Sequence, residues 1–246
     1  MQWSPNGKIF FTDSNFHAYR MNPDGSARAR VPDRDMNAAY GISCGTDAVV
    51  FAQLRDNMLD LFRQNLSNGE VKQLTSEHDA EWPTCTRDGK TIYYVDNLDG
   101  QSLKRISSNG GTPEVVATNV ANGASLSPDE KRLVYLQFGG PNREHKVSIV
   151  IKNLDGGGEA SLPSSGVVNR PDWAPAGKAL VVNKHTGAGT NLFYQPLDGS
   201  APTQITHFDT EPLWIAAYAF SPGGKQIAIT RARVNDSDLV MFGNFR

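Results

Sequence analysis

One short segment returns along the chain at nearly even intervals, and it restricts the fold more than any other feature. It opens on an aromatic or apolar residue, continues as Ser-Pro-Asp-Gly-Lys or a worn form of it, and leads into an apolar run. The copies are Trp3-Ser4-Pro5-Asn6-Gly7-Lys8, Cys85-Thr86-Arg87-Asp88-Gly89-Lys90, Leu126-Ser127-Pro128-Asp129-Glu130-Lys131, Trp173-Ala174-Pro175-Ala176-Gly177-Lys178 and Phe220-Ser221-Pro222-Gly223-Gly224-Lys225. Ile42-Ser43-Cys44-Gly45-Thr46-Asp47 is a degenerate sixth copy. With the glycine position as marker, at 7, 46, 89, 130, 177 and 224, the steps are 39, 43, 41, 47 and 47. Periods of this length mark arrays of one supersecondary unit.

A second motif interleaves with the first: an alternating strand that ends in Asp-Gly or Asn-Gly. It runs from Ala18 to Gly25, Leu61 to Gly69, Leu103 to Gly110, Ile149 to Gly156 and Leu192 to Gly199. A short strand follows in most copies, as in Lys72-Gln73-Leu74-Thr75 and Thr203-Gln204-Ile205-Thr206. Asp-Gly and Asn-Gly between alternating strands are tight-turn signals, because those residues tolerate positive φ. Runs such as Thr91-Ile92-Tyr93-Tyr94-Val95 are rich in β-branched and aromatic residues, which suit a pleated sheet. No segment keeps a helical period. Each repeat therefore reads as four short antiparallel strands, a to d. One such sheet cannot bury both faces, but radially packed copies can.

These residues resemble the TolB-type propeller repeat, a relative of the WD repeat, from Trp3 to Phe245. The resemblance implies an all-β, six-bladed β-propeller of four-stranded antiparallel blades, with the last blade three-stranded. It is expected as a single domain over 1–246, with repeats at about 1–38, 39–80, 81–121, 122–168, 169–215 and 216–246. The last repeat ends after its third strand, Asp238 to Phe242, so that edge is expected to accept strand addition from upstream sequence or another chain. The end of the chain also resembles propellers fused behind bacterial regulatory domains.

Composition excludes several classes. The formal net charge is −2, and no block of like charge offers a phosphate-tracking surface, so nucleic acid is not an expected partner. No apolar run approaches the ~20 residues of a membrane span. The N-terminus has neither the basic nor the apolar part of a signal peptide. Two cysteines, Cys44 and Cys85, are too few for a disulfide scaffold or a zinc site, and they are expected to be buried free thiols.

Catalytic and metal readings fare poorly. Gly41-Ile42-Ser43-Cys44-Gly45 matches the nucleophile-elbow pattern, but it lies in phase with the Ser-Pro-Asp-Gly turns and no helix follows. Asp96-Asn97-Leu98-Asp99-Gly100 lacks the alternate spacing of a calcium loop and reads as a solvated loop. The histidines have no ligand-spaced partners, although a ring could gather His17, His145 and His185. No catalytic residue, metal or cofactor is therefore expected.

Strand alternation puts the a–b and c–d turns on one face of the array and the b–c and d–a loops on the other. The first set is short and regular. On the second face, the residues just before each strand a are expected to converge on the mouth of a central channel. They are Tyr40, Glu81, Trp82, Asn122, Arg170, Trp214 and Tyr218, a set rich in groups that bind. The leading expectation is a non-catalytic binding or sensor propeller for a protein partner or small ligand, within a larger bacterial protein. Because TolB relatives work in the periplasm and contact proteins, an extracytoplasmic site is expected. The alternatives are a lyase or hydrolase propeller acting on oligosaccharide or peptide, and a structural propeller that self-assembles through the open edge of blade six.

Overall fold

The computed structural model describes residues 1–13, 17–31, 38–55, 57–76, 79–139, 144–167, 169–186, 189–208, 213–233 and 236–243. The recurring motif forms the same turn in most repeats. The marker residue donates its backbone N–H to the residue three before it in Gly7 to Ser4, Gly89 to Thr86, Glu130 to Ser127, Gly177 to Ala174 and Gly224 to Ser221. A hydroxyl at the Ser position then accepts the N–H at or just before the start of strand b, as in Ser4 from Lys8 at 2.9 Å, Thr86 from Thr91 at 3.0 Å and Ser127 from Arg132 at 3.0 Å. The marker needs positive φ, which Gly7, Gly89, Gly177 and Gly224 adopt at 66 to 80°.

Between these turns lie short antiparallel meanders. The first sheet holds β1 (Gln2–Trp3), β2 (Ile9–Thr12), β3 (Ala18–Met21) and β4 (Ala29–Arg30). The second holds β5 (Ala38–Cys44), β6 (Ala48–Arg55), β7 (Met58–Asn65) and β8 (Val71–Gln73). The third holds β9 (Ala80–Cys85), β10 (Thr91–Asp96), β11 (Ser102–Ser107) and β12 (Glu114–Ala117). The fourth is β13 (Ser125–Leu126), β14 (Arg132–Gly139), β15 (Glu144–Asn153) and β16 (Glu159–Pro163). The fifth is β17 (Asp172–Trp173), β18 (Ala179–Thr186), β19 (Gly189–Pro196) and β20 (Thr203–Gln204). The sixth has β21 (Trp214–Phe220), β22 (Gln226–Arg233) and β23 (Asp236–Gly243).

The six-bladed expectation is therefore corrected. Five sheets are complete blades of four strands, and the sixth is partial, because no described segment adds a fourth strand to the free side of β23. The chain divides into two compact units, Met1–Gly123 and Ala124–Arg246, each with three sheets. Among the described residues no helix is long and apolar enough to cross a membrane.

Sheets pack face to face within each unit. In the first unit, Val49, Phe51 and Phe62 of the second sheet meet Phe10 and Val31 of the first. The opposite face of the second sheet sends Ala48, Val50, Ala52 and Leu61 against Ile92, Tyr94 and Ile106 of the third. In the second unit, Val181 and Leu192 pack against Ile215, Tyr218, Ile227 and Ile229. The two-residue alternation of a strand sends one set of side chains to each neighbour.

The same alternation corrects the expectation of free thiols. Cys44 and Cys85 form a disulfide with Cα atoms 5.3 Å apart. Cys85 pairs with Ile92 on the face toward the second sheet, whereas Ser43 pairs with Val49 and Cys44 with Ala48. Cys85 thus corresponds to Ser43, and Cys44 sits one position farther along. That single offset turns Cys44 to the opposite face, toward the third sheet. Two glycines bring the turns close enough: a Cβ on Gly89 would stand 3.2 Å from the Gly45 Cα.

Candidate functional site

In the first unit, strand a carries a bulge at its loop-face end in two successive blades. Ala39 pairs with Ala52 and Ile42 with Val50, and likewise Glu81 with Val95 and Thr84 with Tyr93. Strand a takes three steps in each case where strand b takes two. The extra residue falls at Tyr40-Gly41 opposite Phe51 and at Trp82-Pro83 opposite Tyr94. Proline suits such a place, since a bulge needs no ladder donor there. Bulges re-aim side chains, and they recur beside functional sites.

Trp82 has φ 48°, a left-handed backbone that a bulky residue rarely adopts. Its Cβ lies against Gly123, where any side-chain carbon would approach within 2.5 Å. Glu81 is half-buried. Burial pushes its carboxyl above the ordinary value, a hydrogen bond from Asn97 opposes this, and the Asp79 charge adds to it. The Asn97 amide also donates to Asp79 at 3.2 Å. Asn122 is partly buried next to Gly123. The structure thus gathers Glu81, Trp82 and the Asn122-Gly123 step. Tyr40 holds the matching bulge in β5, but its side chain lies outside the described residues.

In the second unit, Arg170 donates to the Ala124 carbonyl at 3.3 Å. Its neighbour Asn169 donates to the Ile215 carbonyl at 3.1 Å, and Asn183 donates to the same oxygen at 2.8 Å. The Asn169 bond ties the head of strand a in the fifth blade to the head of β21, where Trp214 is 41% exposed, whereas the Arg170 bond reaches back to the head of β13. Tyr218 is set apart from this group. It is buried between the fifth and sixth sheets, and its hydroxyl donates to the Val181 carbonyl at 2.7 Å. Burial, and then the charge of Asp172, push its phenol well above the ordinary range.

The rejected chemistry is also located. Ser43 is buried and donates to the Gly45 carbonyl at 3.0 Å. The loop after β10 is exposed over Leu98, Asp99 and Gly100, whereas Asp96, at the end of the strand, is buried; Lys104 reaches Asp96 at 2.9 Å and Asp99 at 3.0 Å. Lys104 thereby supplies the cationic partner that a metal would otherwise provide. His17 lies 3.5 Å from Asp13. His145 has its side chain outside the described residues. Among the described residues no group of three or more potential ligands could hold a metal ion.

Sequence reasoning missed a polar clasp between strands c and d. In the second blade, Thr75 donates to Asp60 at 3.0 Å and accepts the Leu61 N–H at 2.9 Å, while Gln73 donates to the Thr75 carbonyl at 2.8 Å. In the fifth, Thr206 donates to Asn191 at 2.8 Å and accepts the Leu192 N–H at 2.9 Å, while Gln204 donates to the Thr206 carbonyl at 2.8 Å. The paired Gln-Leu-Thr and Gln-Ile-Thr segments were its visible signal.

No protein-family model matches the chain, and no curated protein matches it in sequence. Its structure is similar to that of a putative TolB from Agrobacterium tumefaciens, at TM-score 0.68 and 17% identity over 96% of this chain and 77% of that one. It is similar to TolB from Acinetobacter baumannii, at TM-score 0.74 and 14% identity over 96% of this chain and 60% of that one. A prolyl endopeptidase is similar at TM-score 0.56 and 12% identity, over 84% of this chain but 34% of that one. At such identities the likeness carries the fold alone: this chain is built of β-propeller repeats, as TolB is.

Proposed function

We propose that this chain is a non-catalytic binding propeller that takes a protein partner or ligand at the loop-face heads of its strands a. The observation that carries the reading is the bulge at Trp82, where a bulky aromatic residue is held at positive φ beside a half-buried carboxyl. Such strain costs on the order of 1–3 kcal/mol and persists where the surroundings impose it, most often at ligand clamps and switches. The exposed Trp214 at the head of β21 supports the same role, since Trp is among the residues that dominate binding hot spots.

The disulfide favours an oxidising compartment, in keeping with a periplasmic setting. We further read the propeller as one part of a larger bacterial protein, as the partial coverage of the Acinetobacter protein supports. A photoreactive residue placed at position 214, and in a separate variant at position 109 in a c–d turn, tests the proposal in periplasmic extract. A discrete adduct from position 214 and none from position 109 is the expected result. Adducts from 109 alone would reject the loop face.

A further inference from the structure

The head of β9 gathers more hydrogen-bond acceptors than donors. The carboxyls of Asp79 and Glu81 stand there with Asn97, whose side-chain amide donates to both. The Asn97 backbone N–H also donates to the Asp79 carbonyl at 3.0 Å, which fastens the b–c loop to the strand head. The side-chain oxygens of Asn97 and Asn122 are shielded from solvent and meet no donor among the described residues. Asn122 belongs to this head because Gly123, the next residue, lies against the Trp82 Cβ. A shielded acceptor without a donor is costly, and so is a half-buried carboxyl without a cation. Among the described residues no basic side chain pairs with Asp79 or Glu81. Lys104 is committed to Asp96 and Asp99, and it shows within the same blade how a cation answers such acceptors. Beside them, Leu98 follows Asn97 directly and is 60% exposed.

We propose that the head of β9 takes an arginine of a partner polypeptide, with an apolar neighbour of that arginine resting on Leu98; this rests on the loop-face reading and names the partner's chemistry there. Guanidinium suits the site because it carries five donors and no acceptor, and the head offers two carboxyls and two amide oxygens. Hydrogen bonds between ionised partners are stronger than those between neutral ones, and a cation beside Glu81 favours its charged form against the burial that opposes it. Arginine is also enriched at the centres of protein interfaces, where its stem packs on apolar surface such as Leu98 presents.

The probe is a capped synthetic peptide, Gly-Ser-Leu-Arg-Leu-Ser-Gly, added to the full chain, with citrulline in place of arginine as the neutral comparison. Calorimetry reads affinity, and hydrogen exchange reads position. The arginine peptide should bind about tenfold or more tightly than the citrulline peptide. Glu81→Gln and Asp79→Asn should each weaken the arginine peptide by about tenfold or more, with little change for the citrulline one. Glu70→Gln, on a c–d turn, should leave both unchanged. Exchange over residues 79–85 and 96–101 should slow on binding. No binding at millimolar peptide, equal binding of the two peptides, or equal weakening by Glu70→Gln and Glu81→Gln would overturn the proposal. So would protection of the same segments by calcium alone, which would assign the acceptors to a metal ion. Failure of the peptide alongside a discrete adduct from position 214 would remove the arginine and leave the loop-face reading standing. If either variant does not fold, the two peptides on the unaltered chain decide the matter.

Discussion

Glu130 stands at the turn position that glycine fills in the first, third, fifth and sixth repeats, with φ 58°. The left-handed conformation costs a non-glycine residue roughly 1–2 kcal/mol. Glu130→Gly should therefore raise stability by about 1 kcal/mol, the gain being reduced by the greater freedom of glycine in the unfolded chain. Chemical denaturation reads this directly, and an unchanged midpoint would show that the turn is not strained.

Glu81 gives a pH signature at the same scale. Its carboxyl is held above the ordinary glutamate value, first by burial. A raised acid contributes stability below its unfolded pKa and loses that contribution as pH rises through the folded one. The wild type should thus fall behind Glu81→Gln in melting temperature between about pH 4 and about pH 7. A difference that stays constant across that range would contradict the burial of Glu81.

Among elements, the a–b turns were legible because serine, aspartate and glycine each have a distinct job there. The second blade was less so. Its turn is one residue shorter, and positive φ falls at Gly45, not at Thr46, where the motif spacing puts the marker. The disulfide was hidden for a related reason: the motif aligned the two cysteines loosely, but only exact register tells which face each one takes. Bulges were likewise out of reach, because they belong to a pair of strands and not to one segment. Pro83 within a strand was the single local hint. Tyr218 is buried on this account, since the bulge of β21 falls farther from the a–b turn, between Ile215 and Ala217, leaving Tyr218 in regular register against Ile229.

The disulfide itself carries a prediction. It closes a sequence separation of 41 residues, for which the chain-entropy account gives about 4 kcal/mol. Cys44→Ser with Cys85→Ser should lose much of that in denaturant unfolding under oxidising conditions. With reductant present, the parent chain should approach the double variant. Thiol titration of the denatured, unreduced chain should find no free thiol, and two free thiols would remove the staple from this account.

At the scale of the whole molecule, periodicity alone gave away the repeat architecture, while it counted six blades where five are complete and the sixth sheet is partial. The last repeat has the a, b and c signals, and completeness depends on a fourth strand that the described residues do not supply. Function was legible only as far as geometry: alternation of strand direction separates regular turns from variable loops, and the residues at the strand heads follow. What the heads would bind under this proposal depends on side-chain placement, which the bulges of β5, β9 and β21 redirect.

The central proposal is that loop-face strand heads, those of the first unit at Trp82 or those of the second at Arg170 and Trp214, bind a partner. Affinity capture from periplasmic extract on the immobilised chain tests it most directly, with Trp82→Ala, Arg170→Ala and Trp214→Ala compared against Lys90→Ala in an a–b turn. The account predicts a partner that the wild type and Lys90→Ala retain and that at least one head variant releases, with all four variants folded by circular dichroism. Retention by all three head variants and release by Lys90→Ala would contradict it.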